Sequence, residues 1–510
     1  MEKINSNIDN FCRALNWIDN NTIDGSGIAV SSKEHRVYPE VTGYYIPTLL
    51  EWGERDRACA YAKHLLSIQK EDGSWYDSND QDPYVFDSAQ ILKGLVAIRD
   101  IMPEADRHII NGCDWILSNV HDDGRLTTPC MDAWGDSEDF CSELIHIYCL
   151  SPIIQAGNIF NRQEFIGSAK RILEYYKRNM KDRIENFSLL SHFYAYVMEG
   201  LYDLGEIDLC RESMMRLEKY RNSKGGIPGL KDVPWVCSTG LFQLAVVWYK
   251  LGDLDRGNSL FYYALSLQNE SGGWYGSYPG PGLFSRLYRG RNKPYYFPNE
   301  EISWAVKYFL DALALKEKLE FERQAPIFLD TIAEDDGRYA LIKNLLLKQE
   351  TNVKNHLKVC DVGCGKGRYI NRLSVDCPTN DYYVMDLSEK VMSEIECAKE
   401  KRVGSMTCIP YKDAIFDFVF ACESFEHAIN LRGAFKELYR ILNKGGKLVI
   451  IDKPIEKMGR LDIYEWKQWI DDNDIESFVN EESGKLEIVK SVSYENKDDG
   501  LFRAWIVTKP

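Results

Sequence analysis

An all-α repeat region followed by an α/β unit is the fold class this sequence predicts. Three observations predict it. A helix–turn–helix pattern recurs from the start to about residue 318, glycines mark stops at hairpin intervals, and the apolar period changes at Leu357. Residues 1–318 are read as the repeat region, 319–350 as a linker with a leading helix, and 351–510 as the α/β unit.

The repeat begins at VTGYYIPTLLEWGERDRACAYAKHLLSIQKEDGSW and returns in segments starting at Val85, Ser142, Ser188 and Ser238. A sixth, starting at Glu300, shows its first helix most clearly. Each unit has an apolar helix, a polar turn, a more amphipathic helix and a glycine stop, at Gly73, Gly124, Gly226 and Gly273. Such a unit needs neighbours to bury its face, and six pairs closing on themselves make an (α/α)6 toroid with the apolar helices inside.

Two stops carry more. Gln69-Lys-Glu-Asp-Gly73-Ser-Trp75 and Gln268-Asn-Glu-Ser-Gly272-Gly-Trp274 both read Q-x3-G-x-W. The glutamine amide can tie a helix end while the indole seals the join. This motif resembles the repeat of the squalene-cyclase and prenyltransferase toroids, over roughly residues 40–315. The acidic DxDD motif of the cyclases is missing, so cyclisation is not implied. Toroids of this kind implies a bowl-shaped pocket, and several enzymes built on them handle sugars.

Acids and aromatics fall in loops that could line such a bowl. They are Glu40, Asp82, Asp87, Asp132, Trp134, Asp139, Glu143, Asn299, Glu300, Glu301 and Trp304. Aromatic faces stack on sugar C–H faces and carboxylates accept from hydroxyls. Asp87, Asp132, Trp134, Asp139 and Glu300 are taken as substrate candidates. The competing reading of each acid is a helix cap or dipole partner.

Pro326 and the turn Glu334-Asp335-Asp336-Gly337 mark the boundary. From Leu357, LKVCDV reads as a buried strand, followed at once by Gly363-Cys364-Gly365-Lys366-Gly367 and a helix. A glycine-rich turn there lets a ligand approach the backbone at a helix N-terminus. A dinucleotide turn wants G-x-G-x-x-G, but the sixth position is Arg368.

Asp361 followed by G-x-G-x-G resembles motif I of the class I S-adenosylmethionine-dependent methyltransferases. Asp386 ends the second strand, YYVMD; GSMTCIPYKDAIFDFVFACESFEHA and AFKELYRILNKGGKLVIID resemble the family's later motifs. The resemblance implies a Rossmann-like fold, S-adenosylmethionine as cofactor, and cofactor contacts from Asp361, Gly363, Cys364, Gly365, Gly367, Asp386, Leu387, Ser405, Met406 and Glu423. Asp386 would take the ribose hydroxyls and Met406 the adenine. Ser405 stands where many members carry an acid for the adenine amino group.

Methyl transfer to a hydroxyl needs a base. His427 is the first candidate, with Glu426 beside it orienting the turn or bonding the cofactor. Asp452 and Lys453, after the fifth strand, are candidates for substrate contact. Trp466 and Trp469 fall where the family builds a substrate lid. No acid cluster after the fourth strand suggests a metal.

The formal net charge is −16, from 62 basic and 78 acidic residues, which disfavours nucleic acid and acidic membrane surfaces. The polar N-terminus does not read as a signal peptide, and no apolar run is long enough for a membrane span. The 14 cysteines form no CxxC pair and read as reduced thiols. A cytoplasmic sugar or polysaccharide methyltransferase is the leading expectation, with a glycan or other small-molecule acceptor and room for a homo-oligomer. The alternatives are a bifunctional enzyme whose toroid is itself a glycan hydrolase, lyase or epimerase, and a small-molecule or peptide methyltransferase whose toroid binds or dimerises.

Overall fold

The computed structural model describes residues 6–130, 141–282, 288, 293–352, 356–461, 467–494 and 497–510. The chain divides into two compact units, one of Asn10–Leu49 and Arg55–Lys316, the other built chiefly on Glu317–Pro510 with Leu50–Glu54.

The first unit is helical. Its consecutive pairs are Pro39–Glu51 with Arg55–Ile68, Val85–Ile98 with Ala105–Ser118, Leu150–Ile159 with Gln163–Asn179, Ser191–Asp203 with Ile207–Leu217, and Ser238–Lys250 with Leu254–Leu265. The division of labour inside a pair follows its apolar pattern. In the fifth pair, Ser238 to Tyr249 are buried without interruption, whereas the second helix buries Gly257, Leu260, Phe261 and Ala264, a single stripe at helical spacing.

The stops share one geometry. Gly73, Gly124, Gly225 and Gly272 all adopt φ between 91° and 95°. The repeating positions are therefore Gly225 and Gly272, one residue before the Gly226 and Gly273 expected from the sequence. In each turn the glycine N–H donates to the carbonyl three residues back, as in Gly73 to Lys70 and Gly272 to Asn269. The Gln69 amide then bridges the Gly73 carbonyl and the His108 carbonyl of the next pair, each at 2.9 Å. Gln268 does the same with Gly272 at 2.9 Å and Asn10 at 3.1 Å. Its second partner lies on the chain's first helix, Ser6–Asn21. Trp17 on that helix donates to Glu301 at 2.8 Å, just ahead of the helix Ser303–Gln324. That last helix runs unbroken across residue 318, and the division between the two units, at Lys316 and Glu317, falls within it.

The second unit is α/β. Its strands are β1 (Lys358–Val362), β2 (Asp381–Asp386), β3 (Glu400–Val403), β4 (Phe416–Cys422), β5 (Leu442–Asp452), β6 (Lys485–Tyr494) and β7 (Lys497–Thr508). They form one sheet in the order β3-β2-β1-β4-β5-β7-β6. The first five are parallel, while β7 runs antiparallel to both neighbours. The order reverses between β1 and β4, the switch point at which open α/β sheets place ligands at the carboxyl ends of their strands. This is a Rossmann-like arrangement. β4 is buried at all seven positions, as a strand covered on both faces must be.

Among the described residues no helix is long and apolar enough to cross a membrane.

Candidate active site

A cavity of about 350 Å³ opens in the second unit at the carboxyl ends of β1, β2 and β4. The turn after β1 forms its floor. Gly363, Gly365 and Gly367 all sit in the left-handed region, at φ 73°, 53° and 78°, which favours glycine. The three have different reasons to be glycine. A Cβ on Gly363 would collide with Ser424, and one on Gly367 would come within 2.8 Å of Ile395. A Cβ on Gly365 would meet nothing within 4 Å, so its open side faces the cavity.

Asp386, at the end of β2, locks this turn to the sheet. Its Oδ2 accepts the Gly365 N–H at 2.9 Å and its Oδ1 the Ser388 N–H at 3.1 Å. Burial pushes its carboxyl up to about 6, against the pull of those backbone donors. Asp361 is buried in β1, with Oδ2 lacking any hydrogen-bond partner. Burial, and after it the neighbouring Asp386, raises that carboxyl well above its ordinary range. Cys364 and Leu387 also line the cavity. So do Ser405 and Met406, where the Ser405 and Thr407 hydroxyls share a hydrogen bond of 2.7 Å.

The turn after β4 supplies the opposite wall. Glu423 holds a left-handed backbone at φ 55°, a conformation that costs a non-glycine residue energy and persists only where neighbours fix it. Its carboxylate accepts from Arg338 and, at 3.1 Å, from Arg368. Burial pushes its pKa up, but the two guanidinium groups outweigh that and hold it below the ordinary value. His427 lines the cavity, edge-on to the Phe321 ring at 5.6 Å between centroids. Its Nδ1 is buried without a hydrogen-bond partner, and its Nε2 lies 3.9 Å from Glu426. Burial pushes the imidazole down to about 4, Glu426 opposing, so the ring is neutral near pH 7.

Glu426, Asp452 and Lys453 are placed differently from the cavity residues. Glu426 is fully buried, with Lys453 at 2.9 Å and Lys467 at 3.1 Å on its carboxylate. Burial opposes its ionisation, yet the two ammonium groups keep its pKa low. Asp452 Oδ2 accepts the Glu426 N–H at 3.0 Å. Neither Asp452 nor Lys453 lines the cavity: the Glu426 carboxylate holds Lys453 inward, and the Glu426 backbone N–H holds Asp452.

Sequence reasoning missed Arg338, Arg368 and Lys467, and also the apolar segment Ile327-Phe328-Leu329 along the cavity. Only Arg338 had a local signal, its place at the acidic turn. Asp336 takes its guanidinium at 2.5 Å.

In the first unit, the Tyr38 hydroxyl donates to Asp87 at 3.1 Å, and Trp304 Nε1 donates to Glu40 at 3.3 Å. Burial pushes the Asp87 carboxyl up to about 7, and burial with Asp87 beside it raises Glu40. Glu300 accepts from Ser31 and pairs with Lys33 at 3.6 Å. Glu301 is committed to Trp17 and Asn269. Asp132, Trp134, Asp139 and Trp466 lie outside the described residues.

A family model described as a methyltransferase domain matches residues 360–450. Residues 360–450 are a methyltransferase domain, and its cofactor is S-adenosylmethionine. An uncharacterised protein of Methanocaldococcus jannaschii is 34% identical over 108 residues, 21% of this chain and 45% of that protein. A sterol 24-C-methyltransferase of Aspergillus fumigatus is 32% identical over 108 residues, 20% of this chain and 29% of its own. The chain thus spans less than half the length of these relatives. Among solved structures, an unsaturated glucuronyl hydrolase specific for heparin aligns at a TM-score of 0.47 and 13% identity, over 62% of this chain and 98% of its own.

Proposed function

We propose that the whole protein transfers a methyl group from S-adenosylmethionine to a sugar hydroxyl in a polysaccharide or glycoconjugate. The observation that carries the reading is His427 lining the same cavity as the glycine turn, with Nδ1 free of any hydrogen-bond partner.

The residues present suit the cofactor. The unpartnered Asp361 Oδ2 is a buried acceptor matched to an ammonium group. Asp386 keeps lone pairs beyond its two backbone bonds for ribose hydroxyls. Gly365 leaves its open side for close approach. Ser405 and Met406 would serve the adenine. When bound, S-adenosylmethionine supplies an electrophilic methyl on a sulfonium leaving group. His427 takes the hydroxyl proton as the oxygen attacks, and Glu426 at 3.9 Å stabilises the imidazolium that forms. Lys453 and Lys467 keep Glu426 ionised, while their own charges oppose the imidazolium and keep the resting ring neutral.

The sugar assignment rests on the first unit. Glu40 and Asp87 sit with Tyr38 and Trp304, a carboxyl-and-aromatic set that suits sugar hydroxyls and C–H faces. We read its helix pairs as a closed (α/α)6 ring, because Gln268 treats the first helix as Gln69 treats the next pair.

Calorimetric titration with S-adenosylhomocysteine, followed by an acceptor screen with a His427→Ala control, tests the proposal. Binding, with sugar methylation that His427→Ala reduces by 10²–10⁴-fold, is expected on the usual scale of general-base effects, roughly. No binding by the unaltered protein overturns it.

A further inference from the structure

The cavity has a wall that the cofactor-facing residues do not account for. Phe321, Ile327, Phe328 and Leu329 line it together. Ile327 is 68% exposed and Leu329 60% exposed, among the few large apolar side chains left in water by the described chain. The wall is fixed at both ends. Phe321 packs on Phe328 at 4.9 Å and stands edge-on to His427 at 5.6 Å. At the other end Lys366 of the glycine turn donates to the Pro326 carbonyl at 3.3 Å. The apolar surface therefore runs from the proposed base to the glycine turn after β1.

Two of the cations around it are already committed. Arg368 is held by Glu423, and Lys467 by Glu426. Glu317, Gln324 and Ser424 add polar lining, but the side chains left exposed along this wall are Ile327 and Leu329, and exposed apolar surface beside a reactive site marks a ligand contact.

We infer that the acceptor is amphiphilic: a polar end reaches His427 while an alkyl or isoprenoid-like carrier lies along Phe321, Ile327, Phe328 and Leu329. The inference rests on the methyltransferase reading of this cavity and narrows its acceptor to a sugar attached to an apolar chain.

The test uses the full chain saturated with S-adenosylhomocysteine. It is titrated with alkyl glucosides of four to ten carbons below their micelle concentrations, with free glucose as the zero point. Each methylene that reaches the wall is expected to tighten binding by roughly two- to fourfold. In the double variant Ile327→Ser, Leu329→Ser that dependence flattens while S-adenosylhomocysteine affinity holds. Both residues are exposed, so the variant keeps its fold. Equal affinity across the series overturns the inference, as does a length dependence that survives the double variant. Weaker cofactor affinity with the length dependence intact also overturns it, since the segment would then be a cofactor cover. If the unaltered protein fails to bind S-adenosylhomocysteine, the methyltransferase reading falls and takes the inference with it; a flat series with that binding intact sinks the inference alone.

Discussion

Arg338 and Glu423, 85 residues apart, form an ion pair that ties the helix starting at Gly337 to the turn after β4. Asp336 holds the same guanidinium from the other side, and Arg368 reaches the same carboxylate at 3.1 Å. The four charges alternate in sign, and together they hold Glu423 in its left-handed backbone. Removing one member of a buried pair strands its partner, at about 3–5 kcal/mol. Glu423 is 23% exposed and keeps Arg368, but Asp336 is 1% exposed and loses its guanidinium, so Arg338→Ala is expected to cost about 3 kcal/mol. Urea denaturation of the two proteins measures the difference. An unchanged midpoint would show that the turn holds its shape without Arg338.

The three glycines of the turn should separate stability from binding. Gly367→Ala must displace Ile395 and adopt φ 78°, so it is expected to lower the thermal midpoint by several degrees. Gly365→Ala meets no protein atom within 4 Å and carries only the strain of φ 53°, about 1–2 kcal/mol. Its methyl group would nevertheless occupy the open side of the cavity. Gly365→Ala should therefore lose S-adenosylhomocysteine affinity by tenfold or more, roughly one lost contact's worth of energy, while its midpoint moves less than that of Gly367→Ala. Scanning calorimetry and titration on both variants check the pair of outcomes.

Much of the second unit was legible in the sequence because its signals are local. The β1 run, the three glycines and Asp386 lie within 30 residues, and each follows from what a strand–turn–helix needs. The arginines on Glu423 left no such trace, since an ion pair between residues 338 and 423 has no spacing to recognise. The wall at Ile327 and Leu329 read as linker for a similar reason: exposed apolar residues outside a periodic element look like nothing in particular. In the first unit the Gln69 and Gln268 stops could be seen, but a third was disguised. At the stop of Gly225 the bridging residue is Arg221, whose guanidinium bonds the Gly225 carbonyl and, at 3.1 Å, Ser259. A different side chain meets the same need, so the repeat survives in geometry after fading from the sequence.

The tie made by Gln268 gives the first unit a local test. Its amide holds the Asn10 carbonyl at 3.1 Å and the Gly272 carbonyl at 2.9 Å. Gln268→Leu removes both bonds, about 1–2 kcal/mol for the pair, at nearly constant volume. Hydrogen exchange should quicken along Ser6–Asn21 and at the 269–273 turn, while the corresponding turn at Gly73 keeps its protection. Uniform exchange across both turns would show that the first helix is held by packing alone.

Cofactor binding should carry the titration of Asp386. Burial pushes this carboxyl up to about 6, so the sign follows directly. Above that value the group is ionised and accepts from backbone and ligand hydroxyls; below it a proton occupies one oxygen and the acceptor is lost. S-adenosylhomocysteine affinity is expected to be level from pH 7 to 8.5 and to fall by up to about tenfold per unit as the pH drops below 6, the limit for one required ionisation. His427, pushed down to about 4, stays neutral across this window and contributes nothing to the fall. Titrations at half-unit steps with Asp386→Asn as the comparison decide it. The asparagine variant cannot ionise, so it should bind more weakly at pH 7.5 and show no fall near pH 6. A fall that persists in Asp386→Asn would assign the titration to another group, with Asp361, the neighbouring buried acid, next in line.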